Sequence, residues 1–162
     1  MFIREAQEKD YEAIWEIFHS IVSLGDTYVY SPDTKKDDAI KIWCKNPEKT
    51  FVAEVDGKVL GTYYLKSNQP DLGSHICNCG YMVSNKARGL GLATAMCNHS
   101  QTEAVKRGYI GMQFNLVVST NLGAIKLWQK LGFGFIGEIP KAYNHSKFGL
   151  VSAYVMFKHL SK

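Results

Sequence analysis

The spacing of apolar positions changes several times along the chain, and each change marks a new element. Phe2 to Ala6 reads as a strand, and Asp10 to Val22 places Ile14, Ile17, Phe18 and Ile21 at helical spacing. Leu24 to Asp33 breaks the pattern with Gly, Asp, Tyr and Pro, and Thr34 to Cys44 resumes a helix. Thr50 to Val55 and Lys58 to Lys66 flank Asp56-Gly57, a two-residue hairpin signal. Gln69 to Gly73 is a further turn and delivers the chain to a strand from Ile76 to Val83. A helix then runs to about Arg107, followed by a strand from Met112 to Val118, a helix from Asn121, a short strand from Phe133 to Gly137 and a last strand from Val151 to Lys158. The order β-α-α-β-β-β-α-β-α-β-β, without repeats or a linker, predicts one α/β (α+β) domain over 1–162. Antiparallel hairpins followed by a βαβ-like step imply a mixed sheet with helices on both faces.

Composition narrows this little. A chain of 162 residues is long enough for one core. The net charge of +4 is spread over scattered Lys and Arg residues, so no basic stripe supports nucleic-acid binding. Cys44, Cys77, Cys79 and Cys97 include no C-x-x-C pair, which argues against a structural zinc site, and no other metal is expected. Cys77 and Cys79 fall on one face of their strand and read as small buried thiols in a reducing cytoplasm. The N-terminal residues carry no signal-like apolar region and no run is long enough to span a bilayer, so a soluble, cytoplasmic protein away from membranes is expected.

The segment with the clearest chemistry is Lys86-Ala87-Arg88-Gly89-Leu90-Gly91-Leu92-Ala93-Thr94, which follows a strand and opens a helix. Two glycines beside basic residues at a helix start let backbone N–H groups approach an anion at the positive end of the helix dipole. The loop is neither a Walker motif nor a Rossmann fingerprint. Read alone, it holds a pyrophosphate or merely begins a surface helix. Its spacing resembles the [RQ]-x-x-G-x-[GA] signature of the GCN5-related N-acetyltransferases, with Lys86 in the first place. From Asn121, the run Asn-Leu-Gly-Ala-Ile-Lys-Leu-Trp-Gln-Lys-Leu-Gly-Phe is similar to that family's N-x-x-A-x-x-[LF]-[YW]-x-x-x-G-F block. Unaided, Asn121 is a good N-cap and Gly132 a good C-terminal residue, and Ala124, Leu127, Trp128 and Leu131 form one helical face on which Trp128 packs in the core.

The resemblance implies acetyl-coenzyme A as co-substrate and direct transfer to an amine in a ternary complex. It implies a sheet that splays after Ile76 to Val83, where the main-chain groups of Tyr81, Met82 and Val83 hold the pantetheine arm. Arg88, Gly89, Leu90, Gly91, Leu92, Ala93 and Thr94 would hold the pyrophosphate, and Asn121 and Trp128 would flank the arm. The family's usual thiolate proton donor is a tyrosine where this chain has Trp128, whose indole N–H donates a hydrogen bond but is no practical acid. Asn121 or Tyr143 are the alternatives for steadying the sulfur. An amine with a lysine-like pKa near about 10.4 costs about 4–5 kcal/mol to deprotonate at neutral pH. Glu54, Asp26, Glu138 and His145 are the candidate bases by type.

Three further runs, His75 to Val83, Met112 to Asn121 and Gly132 onward, resemble the L-azetidine-2-carboxylate (proline-analogue) N-acetyltransferases. Gly25-Asp26-Thr27-Tyr28 also looks related. That likeness implies a substrate carboxylate held by Asn78 and Asn115, Asp26 and Tyr28 in the substrate loop, and a catalytic set of Tyr81, Asn115 and Asn121. Taken on its own chemistry, Asn78 is equally a buried structural amide. The alternatives are a phosphinothricin-type or protein N-terminal acetyltransferase, or a coenzyme A-binding sensor without transfer activity. A small-molecule amine or amino acid is the expected partner; the resemblance allows a homodimer, which nothing in the chain itself demands.

Overall fold

The computed structural model describes residues 1–160, and their strands form one seven-stranded sheet in the order β1-β2-β3-β4-β5-β7-β6. The strands are β1 (Phe2–Glu5), β2 (Lys49–Val55), β3 (Lys58–Ser67), β4 (Ile76–Val83), β5 (Gly111–Val118), β6 (Gly134–His145) and β7 (Gly149–His159). The helices are α1 (Tyr11–Val22), α2 (Lys36–Ile40), α3 (Leu92–Lys106) and α4 (Leu122–Lys130). All neighbouring strands pair antiparallel except β4 and β5. The mixed sheet expected from the hydrophobic pattern is therefore the one observed.

Strand alternation divides the core in two. On one face Phe51, Leu65, Cys77, Cys79 and Phe114 pack against Met96 and Cys97 of α3 and Trp128 of α4. On the other, Val52, Tyr64 and Met82 pack against Ile14, Ile17 and Phe18 of α1 and Trp43. Both predicted strand cysteines are buried on the α3 face, as their spacing required. Burial pushes the Cys97 thiol up to about 11 and the Cys79 thiol well above its ordinary value, so both stay protonated and inert.

Three of the differences from the sequence reading bear on local structure. The first helix begins at Tyr11 after a 3-10 turn over Glu8–Asp10, because the Asp10 carboxylate is drawn to Arg4 at 2.7 Å and also accepts from Gln7 N at 2.8 Å. The second predicted helix is one short α segment continued by a wide π turn at Lys41–Lys45. The short strand expected at Phe133 to Gly137 is instead β6, twelve residues long. Register shifts against β7 between Phe135 and Gly137, and again between Ile139 and Tyr143, hid its alternation.

Candidate active site

The site begins where the sheet comes apart. Strands β4 and β5 run parallel, yet they pair only at Ile76 with Gly111 and Cys77 with Met112. Beyond that point each continues for six residues without the other. The phase of the β3–β4 ladder is fixed by two bonds at its ends, Asn68 N to Ile76 O and Ser84 N to Leu60 O. Alternation then turns the main-chain groups of Met82 toward Thr62 of β3, and those of Cys79, Tyr81 and Val83 toward the gap. Of the three residues expected to hold an extended ligand through their backbone, Tyr81 and Val83 therefore face the opening, and Cys79 takes the place given to Met82. The Met82 side chain is buried against α1.

A cleft of about 540 Å³ fills this opening. It runs from the Asp26–Tyr30 loop, past Asn78 to Val83, to Arg88 and Ala93 at the start of α3, with Asn115, Asn121 and Trp128 along the β5 and α4 side. Of the sequence-predicted residues, Asp26, Tyr28, Asn78, Tyr81 to Val83, Arg88, Ala93, Asn115, Asn121 and Trp128 line it, whereas Gly89 to Leu92 and Thr94 lie outside its lining.

At the α3 end, Gly91 is the N-cap with φ +75° and Gly89 has φ +81°. Other residues adopt this left-handed conformation only at a cost. A Cβ on either glycine would meet no atom within 4 Å, so the space in front of them is open to a ligand. The first bond of the helix runs from Ala95 N to Gly91 O, and no side chain caps the turn. The N–H groups of Leu92, Ala93 and Thr94 are left pointing outward, with no acidic residue in the first turn to compete for them. Leu92 holds the turn down with a buried side chain, whereas Leu90 is exposed. These features fit an extended ligand with an anionic group at one end.

On the α4 side, Asn121 caps its helix through Oδ1, which accepts from Ala124 N at 3.2 Å. The role that the resemblance implies for it would thus be joined to a structural one. The Trp128 ring lies 5.2 Å from that of Tyr81 and 5.0 Å from that of Phe114, between core and cleft. The Tyr81 hydroxyl points away from the gap, bonded to Ser100 Oγ at 2.7 Å, and burial raises its pKa far above the ordinary value. The contribution of Tyr81 to the cleft is therefore its main chain and its ring face, not its phenol.

Where the strands part, Asn78 is buried with both ends of its amide engaged. Its Nδ2 donates to Gln113 O at 2.9 Å and its Oδ1 accepts from Tyr64 Oη at 3.1 Å. The side chain thus bridges β4 to β5 one residue beyond their last backbone pair. Asn115 donates to Asn68 Oδ1 at 2.7 Å and accepts from Gln113 Nε2 at 3.0 Å. The Tyr28 hydroxyl donates to Tyr81 O at 2.7 Å, and the Tyr143 hydroxyl donates to Tyr28 O at 3.0 Å.

Of the four candidate bases, only Asp26 lines the cleft. Glu54 is held by Arg4 at 2.5 Å, Glu138 is exposed on β6, and His145 Nδ1 accepts the main-chain N–H of Lys147 at 3.0 Å. The structure removes those three because each lies outside the cleft or is committed elsewhere. Thr27 and Tyr30 also line the cleft, within the loop that the sequence singled out without giving either residue a role; Tyr64, which lines it too, was missed. The signal that could have found Tyr64 is the glycine opposite it, Gly80, where a Cβ would come within 2.6 Å of the tyrosine ring.

The family model for the acetyltransferase (GNAT) family matches residues 5–133, a span that includes the glycine turn, the parted strands and α4. The chain belongs to that family. A GCN5-related N-acetyltransferase from Kribbella flavida is 39% identical and superposes with a TM-score of 0.92, covering 98% of this chain and 97% of that one. N-acetyltransferase aca1 of Schizosaccharomyces pombe is 37% identical over 112 residues, which is 66% of this chain and 53% of the relative. The chain thus spans about half the length of that curated relative. The structure of yncA from Salmonella typhimurium, solved with its cofactor acetyl-CoA, shares the fold at 23% identity and a TM-score of 0.82, over 100% of this chain and 95% of that one. Among the described residues no group of His, Cys, Asp and Glu could hold a metal ion, and no helix is long and apolar enough to cross a membrane.

Proposed function

We propose that this GNAT chain transfers an acetyl group from acetyl-coenzyme A to the amino or imino nitrogen of a small amino acid or analogue. The observation that carries the reading is the parting of β4 from β5 after Cys77 and Met112, which leaves the edge at Cys79, Tyr81 and Val83 without a strand partner beside the open glycine turn. When bound, acetyl-coenzyme A supplies an activated acyl group as a thioester. The chain's own part is to orient and to polarise. Main-chain N–H groups on the open edge are fixed dipoles of the kind that supply a large share of acyl-transfer catalysis. The N–H groups of Leu92 to Thr94, with Arg88 nearby, suit the pyrophosphate. Asp26 is the one carboxylate of the candidate bases placed to accept a proton from an incoming ammonium, directly or through water.

A small acceptor is favoured by the roof over the cleft. The end of the β6–β7 hairpin docks on the substrate loop through Ser146 N to Gly25 O at 2.9 Å, Ser146 Oγ to Leu24 O at 2.8 Å and the Tyr143–Tyr28 bond. This closure leaves aromatic walls of Tyr28, Tyr30 and Tyr64 around a confined space, which suits an amino acid better than a peptide chain. The likeness of the Asn78 and Asn115 runs to the azetidine-2-carboxylate enzymes supports the same choice. The test is thiol release from acetyl-coenzyme A with azetidine-2-carboxylate, proline analogues, primary amino acids, phosphinothricin, polyamines and an N-terminal peptide. Turnover with amino or imino acids is expected. Turnover confined to the peptide or to polyamines would overturn the acceptor assignment, and tight coenzyme binding without turnover would make the protein a sensor.

A further inference from the structure

The acceptor face of the sheet carries a cation that no carboxylate answers. Lys66 stands on β3 directly opposite Asn78 of β4, on the same face as Tyr64 and Asn68. Among the described residues no ion pair includes Lys66. Its ammonium instead folds back over Tyr64, 5.4 Å from the ring centroid. That ring lines the cleft, and its hydroxyl is the one bonded to Asn78.

The polar groups beside Lys66 are neutral amides whose donors are only partly spent. Asn78 Nδ2 gives one proton to Gln113 O, and Asn115 Nδ2 gives one to Asn68 Oδ1. A primary amide has two N–H donors, so one remains on each. Asn78 and Asn115 line the cleft, and Lys66, outside its lining, rests on the Tyr64 ring that does; two spare amide donors and an unpaired ammonium suit a carboxylate. The amides supply direction without charge, and Lys66 supplies the charge. A flexible four-carbon stem resting on an aromatic face lets the ammonium swing from the ring to an arriving anion.

We propose that Lys66, with Asn78 and Asn115, forms a carboxylate anchor that selects acceptors bearing a carboxylate next to the amine. This inference rests on the acetyl-transfer reading and adds the group that would distinguish an amino acid from a plain amine. It is tested with matched acceptors, an amino or imino acid and its primary amide, each assayed with wild type, Lys66→Gln and Lys66→Arg. Lys66 is exposed, so neither variant should disturb folding, which circular dichroism checks.

The expected result is a wild-type preference for the acid. Lys66→Gln should raise the KM of the acid at least about tenfold while the KM of the amide, kcat and the KM of acetyl-coenzyme A stay unchanged, and Lys66→Arg should keep most of the preference. Comparing the acid-to-amide ratio between variants cancels the difference in amine pKa between the two acceptors. Normal turnover with the same ratio in Lys66→Gln as in wild type overturns the anchor and leaves acetyl transfer standing. Wild-type silence with every acceptor, both members of each pair included, overturns the acetyl-transfer reading and the anchor with it.

Discussion

The Tyr28 hydroxyl donates a 2.7 Å hydrogen bond to the main-chain carbonyl of Tyr81, so a loop side chain stands where a neighbouring strand would stand in an unbroken sheet. The bond does two things. It satisfies an edge carbonyl that β5 has abandoned, and it ties the Asp26–Tyr30 loop to the strand proposed to hold the thioester. Burial raises the pKa of Tyr28 far above its ordinary value, so the phenol stays a donor across the physiological range and is unsuited to act as a base.

Tyr28→Phe keeps the ring, its stacking on Tyr30 and its edge contact with Trp43, and removes only the hydroxyl. The variant should lose about 1–2 kcal/mol of stability, since the Tyr81 carbonyl is left without its partner. The KM for the acceptor should rise severalfold because the loop is no longer pinned, whereas the dissociation constant of acetyl-coenzyme A should change less. Urea unfolding and steady-state kinetics on the same preparation check both. A fall confined to coenzyme affinity would mean that the bond serves the coenzyme's arm and not the loop.

Gly91 separates folding from binding in a different way. Its φ of +75° penalises any side chain, yet a Cβ there touches nothing in the free protein. Gly91→Val should therefore cost about 1–2 kcal/mol of stability through backbone strain alone. Its dissociation constant for acetyl-coenzyme A should rise at least about tenfold, because the side chain then occupies the ligand's approach. Calorimetric titration measures the second effect and thermal unfolding the first. Unchanged binding would remove the pyrophosphate assignment.

The uneven legibility of the chain has a physical pattern. Motifs that depend on contiguous residues, such as the glycine turn, the Asn121 cap and the Asp56-Gly57 hairpin, were readable because their geometry is set locally. The parting of β4 from β5 was not written in either strand, both of which show ordinary alternation; resemblance alone suggested it. The difference between Met82 and Cys79 at the open edge depends on the phase of hydrogen bonding to β3, which sequence does not encode locally. Glu54 was misleading for a similar reason, since a partner fifty positions away, Arg4, had already claimed its carboxylate.

That same Arg4 provides a pH-dependent test of the fold. Its guanidinium donates to Asp10 through both terminal nitrogens, at 2.7 and 2.8 Å, and holds the Asp10 carboxyl below the usual range. A depressed folded-state pKa adds stability above the unfolded value of about 3.9, and that stability is lost as pH falls through the lower folded pKa. Asp10→Asn should cost about 2 kcal/mol near neutral pH. Its deficit against wild type should shrink below about pH 4, where the unfolded wild-type carboxyl takes up a proton that the folded one still resists, and close once the pH falls below the lower folded value. Unfolding curves for the two proteins at a series of pH values measure the difference. A gap that stays constant down to the acid limit would mean that Asp10 contributes through shape and neutral hydrogen bonding alone.

Thr27 offers the sharpest contrast between stability and function. Its Oγ1 is shut off from solvent and has no hydrogen-bond partner among the described residues, although the residue lines the cleft. An unsatisfied buried hydroxyl costs free energy, and its replacement by a methyl group of the same shape is neutral or stabilising. Thr27→Val should accordingly leave the melting temperature unchanged or raise it. If the hydroxyl finds its partner in the bound acceptor, the same substitution should raise the acceptor KM about fivefold or more, since a hydrogen bond of about 1 kcal/mol is then lost only in the complex. Coenzyme affinity should not move. Differential scanning fluorimetry and a KM series for the best acceptor distinguish the cases. An unchanged KM in a stabilised variant would remove Thr27 from the acceptor site, whereas a raised KM without loss of stability fits no purely structural role.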